Sequence, residues 1–120
     1  MTVTNATEFW DREAALRRIG HDEELLRDLC NIFLEESPKQ MQKLQEAIAA
    51  GDAEGVMRAA HSLKGELSYL GAGRAAQIAR QLEDMGRNRH LTECAELCAN
   101  LEQALARLHL DLKGRVGELP

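Results

Sequence analysis

Cys94, Cys98, Leu101, Leu105, Leu108 and Leu112 follow one another at strictly alternating steps of four and three. An apolar repeat with that mean spacing keeps one narrow seam of a helix against its neighbours over the whole length. A steep crossing would engage only one or two of these positions, so the helix must lie nearly parallel or antiparallel to its partners. That restricts the chain to a bundle before any other segment is read. The rest of the sequence agrees. No segment alternates apolar and polar residues as a half-buried strand does. Aromatic residues make up only 3% of a chain that is 44% apolar, so the core has to be built mainly from Leu and Ala. The 120 residues suffice for one domain with a single core.

Most of the expected helices carry a start or stop signal. The first spans Thr7 to Ile19, with Phe9, Leu16 and Ile19 as apolar contacts, and Gly20 ends it. Asp22 caps a second, whose buried stripe is expected to be Leu25, Leu26, Leu29, Ile32 and Phe33. Ser37-Pro38-Lys39-Gln40 reads as a fresh helix start, with Ser37 as N-cap, Pro38 in the first turn and Gln40 completing a capping box. Met41, Leu44, Ala47 and Ile48 carry that helix to Gly51. Asp52 caps the next, which runs on Val56, Ala59, Ala60, Leu63, Leu67 and Leu70 to Gly71. A further helix spans Arg74 to Arg87 on Ala75, Ile78, Leu82 and Met85, and Thr92 is placed to cap the last. The expectation is all-α: an antiparallel up-down-up-down four-helix bundle with two additional short N-terminal helical segments. The domain spans residues 7–113, between flexible tails at 1–6 and 114–120.

Composition narrows function. A formal charge of −5 argues against a nucleic-acid binder, which needs a clustered basic face. No apolar run approaches the ~20 residues of a membrane span, so direct membrane contact is not expected. Met1 to Ala6 has neither the basic start nor the apolar block of a signal peptide, which points to the cytoplasm. The three cysteines, an odd number, suit reduced thiols. His90, Cys94 and Cys98 have a spacing that would permit a metal site, but both cysteines belong to the apolar seam and are expected in the core.

Chemistry concentrates on the helix after Asp52. At about 100° per residue, His61 points away from that helix's apolar stripe. Met57, Lys64, Gly65 and Ser68 stand at −4, +3, +4 and +7 from it and share its face. A glycine inside a helix costs about 1 kcal/mol relative to alanine. One turn from a solvent-facing imidazole, that cost makes sense if something must approach the ring closely. An unpaired imidazole, with its reference pKa of ~6.5, is a nucleophile near neutrality.

His61-x-x-Lys64-Gly65, preceded by Ala60 and followed by Leu70-Gly71-Ala72, resembles the signature of histidine-containing phosphotransfer (HPt) domains. The resemblance extends through Asp22-Glu23-Glu24-Leu25-Leu26, Phe33-Leu34-Glu35-Glu36 with Pro38, Met41, Leu44 and Ala49-Ala50-Gly51-Asp52. It implies a helical bundle whose His61 accepts a phosphoryl group from a receiver-domain aspartate and passes it to another. It also implies that Nε2 reacts while a partner from the next helix holds Nδ1. The matching position is Glu83, where several family members have Gln. A carboxylate there would accept from Nδ1–H and stabilise positive charge on the ring. Arg87 stands where the family often has a basic residue and is the expected second phosphate neighbour. Glu66 and Leu67 depart from the family's preference for small residues.

The implied partners are the receiver domains of a hybrid sensor kinase and of a response regulator, docking on a monomer around His61, Met57 and Ser68. The receiver supplies Mg²⁺, and no cofactor of the domain's own is expected. No ATP-binding motif or Gly-rich phosphate loop is present, so the chain should receive phosphate and not generate it. A second reading keeps the fold without the chemistry: a binding module that sequesters a receiver. A third, the dimerisation helix pair of a sensor kinase, needs an adjoining ATPase domain that the sequence does not contain.

Overall fold

The computed structural model describes residues 9–118, with side chains to residue 113, so the tail expected at 1–6 lies outside the described residues. Five helices follow in order: α1 (Arg12–Arg18), α2 (Glu23–Ala49), α3 (Ala53–Leu70), α4 (Gly73–Arg87) and α5 (Cys94–Glu118). The carboxylates of Asp11, Asp22 and Asp52 accept from the amides of Ala14, Leu25 and Gly55 at 3.1, 3.0 and 3.0 Å and so start α1, α2 and α3. Gly71 ends α3 at φ 81°, a left-handed conformation that glycine adopts without penalty.

The connections between α2 and α3 and between α3 and α4 are too short for anything but an antiparallel reversal. Each long helix packs on the next, and α5 returns to α2 and closes the bundle. The up-down-up-down arrangement expected from the sequence is therefore present. Its core includes Leu26, Phe33, Leu44, Val56, Leu63, Leu67, Leu82 and the whole α5 seam from Cys94 to Leu112. Burial lifts the Cys98 thiol, which also lies beside Glu102 and Cys94, to about 11 and raises that of Cys94.

The N-terminal segments differ from expectation. Instead of two short helices and a fresh start at Ser37, α2 runs unbroken through Pro38 for 27 residues. The reason is its buried stripe: Leu26, Cys30, Phe33, Ser37, Met41, Leu44 and Ala47 recur at steps of three and four straight across the proline. A proline inside a helix costs about 3 kcal/mol, because it lacks an N–H and its ring crowds the preceding turn. Burying side chains such as Phe33, Met41 and Leu44 returns roughly 1.5–3 kcal/mol each and outweighs that cost. Pro38 itself faces solvent. The same stripe corrects two core assignments, since Leu25 and Ile32 are 40% and 56% exposed while Cys30 takes the interior position.

Other boundaries shift as well. The first helix starts at Arg12 rather than Thr7, because Asp11 caps it. Thr92 lies in a turn ahead of α5 and does not cap it. The backbone of α5 stays helical to Glu118, beyond the end expected at residue 113.

Ser37 is fully buried on α2 and hydrogen-bonded to Nε2 of His109 on α5 at 2.9 Å. The His109 ring also meets Phe33 edge-on, with centroids 6.0 Å apart. α1 is pinned across the end of α3. The Trp10 indole donates to the carbonyl of Leu70 at 3.0 Å, and the Asp11 amide donates to that of Gly71 at 2.8 Å. Arg18 donates to the carbonyls of Ser68 and Tyr69, so a guanidinium closes the C-terminal end of α3.

Burial and the nearby Lys113 charge lower the His109 pKa. The unfolded chain therefore binds this proton more readily, and stability is lost as pH falls from the ordinary histidine value of 6.5 towards the lowered one. Chemical unfolding followed across that range should show this loss in the wild type and a flatter profile in His109→Gln.

Candidate functional site

The site begins with two helix backbones in close approach. A Cβ on Gly86 of α4 would stand 2.6 Å from the Met57 amide nitrogen and 2.8 Å from the Ala53 carbonyl oxygen of α3. Ala76, Ala79 and Gly86 keep the buried side of α4 narrow. Glu83 lies in the same stripe, one turn before Gly86, and so points at α3 instead of solvent. One turn along α3 from Met57, in the antiparallel sense, stands His61.

The resulting constellation centres on Glu83. Its Oε2 lies 2.7 Å from Nδ1 of His61 and 3.1 Å from the Arg87 guanidinium, and its Oε1 lies 2.7 Å from Nζ of Lys64. Arg87 is held in turn by Asp84 at 3.0 Å. Glu83 is only 3% exposed, while the His61 side chain is 67% exposed. Burial opposes the Glu83 charge, but hydrogen bonds from Lys64 and His61 and their positive charges outweigh it and hold the carboxyl below its ordinary value. An ionised carboxylate can only accept, so the proton between the two groups belongs to Nδ1 of His61. In the neutral ring that leaves the lone pair on Nε2, on the solvent side.

His61, Lys64, Glu83 and Arg87 thus come together as one hydrogen-bonded group. Gly65 lies on the exposed face beside it, and a Cβ there would meet nothing within 4 Å. Ser68 lines an adjoining groove of about 830 Å³ with Lys64, Glu83 and Arg87, between α1, α3 and α4. Met57 is half-buried against α4 and belongs to the packing that sets the helix separation. The two residues that depart from the family preference have structural partners: Leu67 is fully buried, and Glu66 accepts from Gln40 at 2.7 Å.

Three contributors escaped sequence reasoning: Gly86, and the Arg18 and Arg80 that line the same groove. For Gly86 a signal existed, since Ala72, Ala76, Ala79, Glu83 and Gly86 recur at helical spacing with four small residues around one carboxylate. For Arg18 none did, because α1 reaches the site only through tertiary packing. Among the described residues, no group of three or more His, Cys, Asp or Glu could hold a metal ion, and no helix is long and apolar enough to cross a membrane.

Two measurements test this geometry. Gly86→Ala should destabilise the bundle by about 1–3 kcal/mol despite alanine's better helix propensity, because the added Cβ meets backbone atoms that cannot turn aside. Unchanged thermal stability would contradict the close approach. Glu83 contributes stability above its unfolded value of 4.5 and loses it as pH falls through the lowered folded value. The difference in unfolding free energy between wild type and Glu83→Gln should therefore shrink below that pH.

Comparison with known proteins gives a consistent result. The Hpt domain family matches residues 28–110. The signal transduction histidine-protein kinase BarA of Shigella flexneri is 30% identical over 86 residues, which is 72% of this chain but only 9% of that kinase. The crystal structure of histidine-containing phosphotransfer protein B (HptB) from Pseudomonas aeruginosa PAO1 superimposes with a TM-score of 0.87 at 25% identity, covering 93% of this chain and 97% of that one. The HPT domain of the Hpt sensor hybrid histidine kinase from Shewanella has the same fold, with a TM-score of 0.84 at 17% identity over 94% of this chain and 97% of that one. The chain belongs to the Hpt domain family and is a phosphorelay intermediate.

Proposed function

We propose that His61 is the residue that carries the phosphoryl group. The observation behind this reading is the 2.7 Å contact between Nδ1 and Glu83, which leaves Nε2 of a largely exposed ring as the free nucleophile. In the forward step the Nε2 lone pair attacks the phosphorus of a receiver's aspartyl phosphate in line. The bond from phosphorus to the aspartate oxygen breaks, and its electron pair stays on the aspartate carboxylate. The ring becomes positively charged and keeps its proton on Nδ1, against Glu83. The second transfer reverses this sequence on the aspartate of a response regulator. Such a reaction asks mainly for alignment and charge neutralisation. Lys64 and Arg87 supply positive charge beside the ring, and the receiver supplies Mg²⁺.

The partners follow from the same reading. Hpt domains exchange phosphoryl groups with receiver domains, and we assign to this one the receivers of a hybrid sensor kinase and of a response regulator. The similarity to part of a histidine kinase supports a cytoplasmic domain that works beside or tethered to such a kinase. A receiver has room to approach at Gly65, and the surface beside it carries a groove lined by Leu29, Ile32, Tyr69 and Leu70. Contacts of this kind are small and transient, and the domain acts as a monomer.

Incubation with a phosphorylated receiver should place acid-labile, base-stable label on the wild type and none on His61→Gln, which should remain folded. Lys64→Ala should accept label roughly tenfold more slowly, a smaller loss than the ~10²–10³ of a site that relies on one donor alone, since the receiver brings its own cation. Replacing His21, His90 and His109 together should leave acceptance nearly unchanged. Label that persists in His61→Gln and vanishes in the triple variant would overturn the assignment.

A further inference from the structure

The groove between α2 and α3 beside Gly65 has a volume of about 420 Å³ and an uneven charge. Its apolar wall includes Ile32 and Tyr69, which are 56% and 49% exposed. Its polar lining is Glu36, Gln40 and Glu66, without a single Lys, Arg or His. Lys39 holds Glu36 at 2.9 Å. Glu66 has no such cation. Its Oε1 accepts from the Gln40 amide at 2.7 Å, and its Oε2 has no partner among the described residues. We infer that Glu66 is a specificity-determining residue, whose carboxylate selects receivers that present a Lys or Arg beside an apolar docking surface. The inference rests on the reading of His61 as phosphoacceptor and names the partner chemistry that goes with it.

A half-buried carboxylate at the edge of an apolar groove gives up part of its hydration. Glu83 recovers that loss from two cations, whereas Glu66 has only a neutral amide. Gln40 turns its N–H towards Glu66 although its own Oε1 is buried and has no hydrogen-bond partner. The carboxylate is thus held in place within the chain while its charge is left uncompensated. A cation carried in by a partner would complete the pair, and the docked apolar surfaces would exclude water around it and strengthen it. A partner carrying Asp or Glu at that point would bring two carboxylates together and be rejected.

Position makes the contact unavoidable. Glu66 follows Gly65 directly and stands five residues after His61, roughly 7.5 Å along the axis of α3. A docked partner of ordinary footprint, about 800 Å² per side, covers that distance in any pose that reaches the ring. Ile32 and Tyr69 attract any receiver with an apolar face, so they discriminate little. Glu66 supplies the discrimination. It stands where the family favours small residues, so the preference it sets is particular to this chain.

The test uses the whole chain and the phosphorylated receiver that labels the wild type fastest. Initial labelling rates are measured against receiver concentration, at low and high salt, for wild type, Glu66→Gln, Glu66→Lys and Glu96→Gln. Glu66→Gln keeps the size of the side chain, and the fold of each variant is checked by circular dichroism. Glu96 is exposed on α5 and outside this groove, so its variant controls for net charge. The receiver concentration giving half the maximal rate should rise about three- to tenfold in Glu66→Gln and further in Glu66→Lys, with the maximal rate unchanged. Added salt should slow the wild type more than Glu66→Gln, because the lost attraction is the screened one. Glu96→Gln should follow the wild type. Unchanged half-saturation in both Glu66 variants overturns the inference alone. So does an equal rise in Glu96→Gln, or a fall confined to the maximal rate, which is the mark of a disturbed site and not of docking. Absence of label from the wild type overturns the reading of His61 on which the inference rests.

Discussion

The contact between two helix backbones at Gly86 governs the active face. Without it Glu83 would sit too far from α3 to meet His61 and Lys64, and its charge would be left buried and unpaired. An uncompensated buried carboxylate costs several kcal/mol, enough to turn the side chain outward or shift the helices apart. The close approach and the ionic group therefore require each other. The small residues of α4 admit the carboxylate, and the cations of α3 and α4 make its burial tolerable.

This arrangement divides the work of the site between two surfaces. The buried side of the imidazole is fixed by protein groups at hydrogen-bonding distance, while its outer side is left open. Gly65 extends the opening, since even a Cβ there would meet nothing within 4 Å. The cations near the ring, Lys64 and Arg87, are engaged with Glu83 and so held in place; on the proposed reading of His61 they would need little rearrangement to share their charge with a phosphoryl group.

Much of this was legible in the sequence, and the failures have identifiable causes. The 3.5-residue seam of α5 predicted the bundle because a regular apolar repeat has only one way to stay buried. The His61 face was readable because Lys64 and Gly65 lie within one turn of it. Glu83 came from family resemblance, and no local feature of the residue itself requires it to be buried. Pro38 misled because helix-start chemistry is local, whereas the stripe from Leu26 to Ala47 is enforced by neighbours far away in sequence. The periodicity on both sides of the proline is in phase, which is the mark of one helix. Leu25 and Ile32 were assigned to the core because a stripe drawn over five apolar residues is wider than the face that α2 buries.

The pairing of Ser37 with His109 has a consequence for how the helices are aligned. A leucine-rich seam is nearly degenerate under a shift of one turn, because each apolar side chain then meets another of similar size. Sliding α5 along α2 would separate the hydroxyl from the imidazole and strand the fully buried Ser37 hydroxyl without its partner. That penalty falls on every misaligned packing and spares the native one. The contact of buried Ser37 with half-buried His109 thus acts as an index mark, selecting one longitudinal setting of α5 among several that the hydrophobic surface alone would accept.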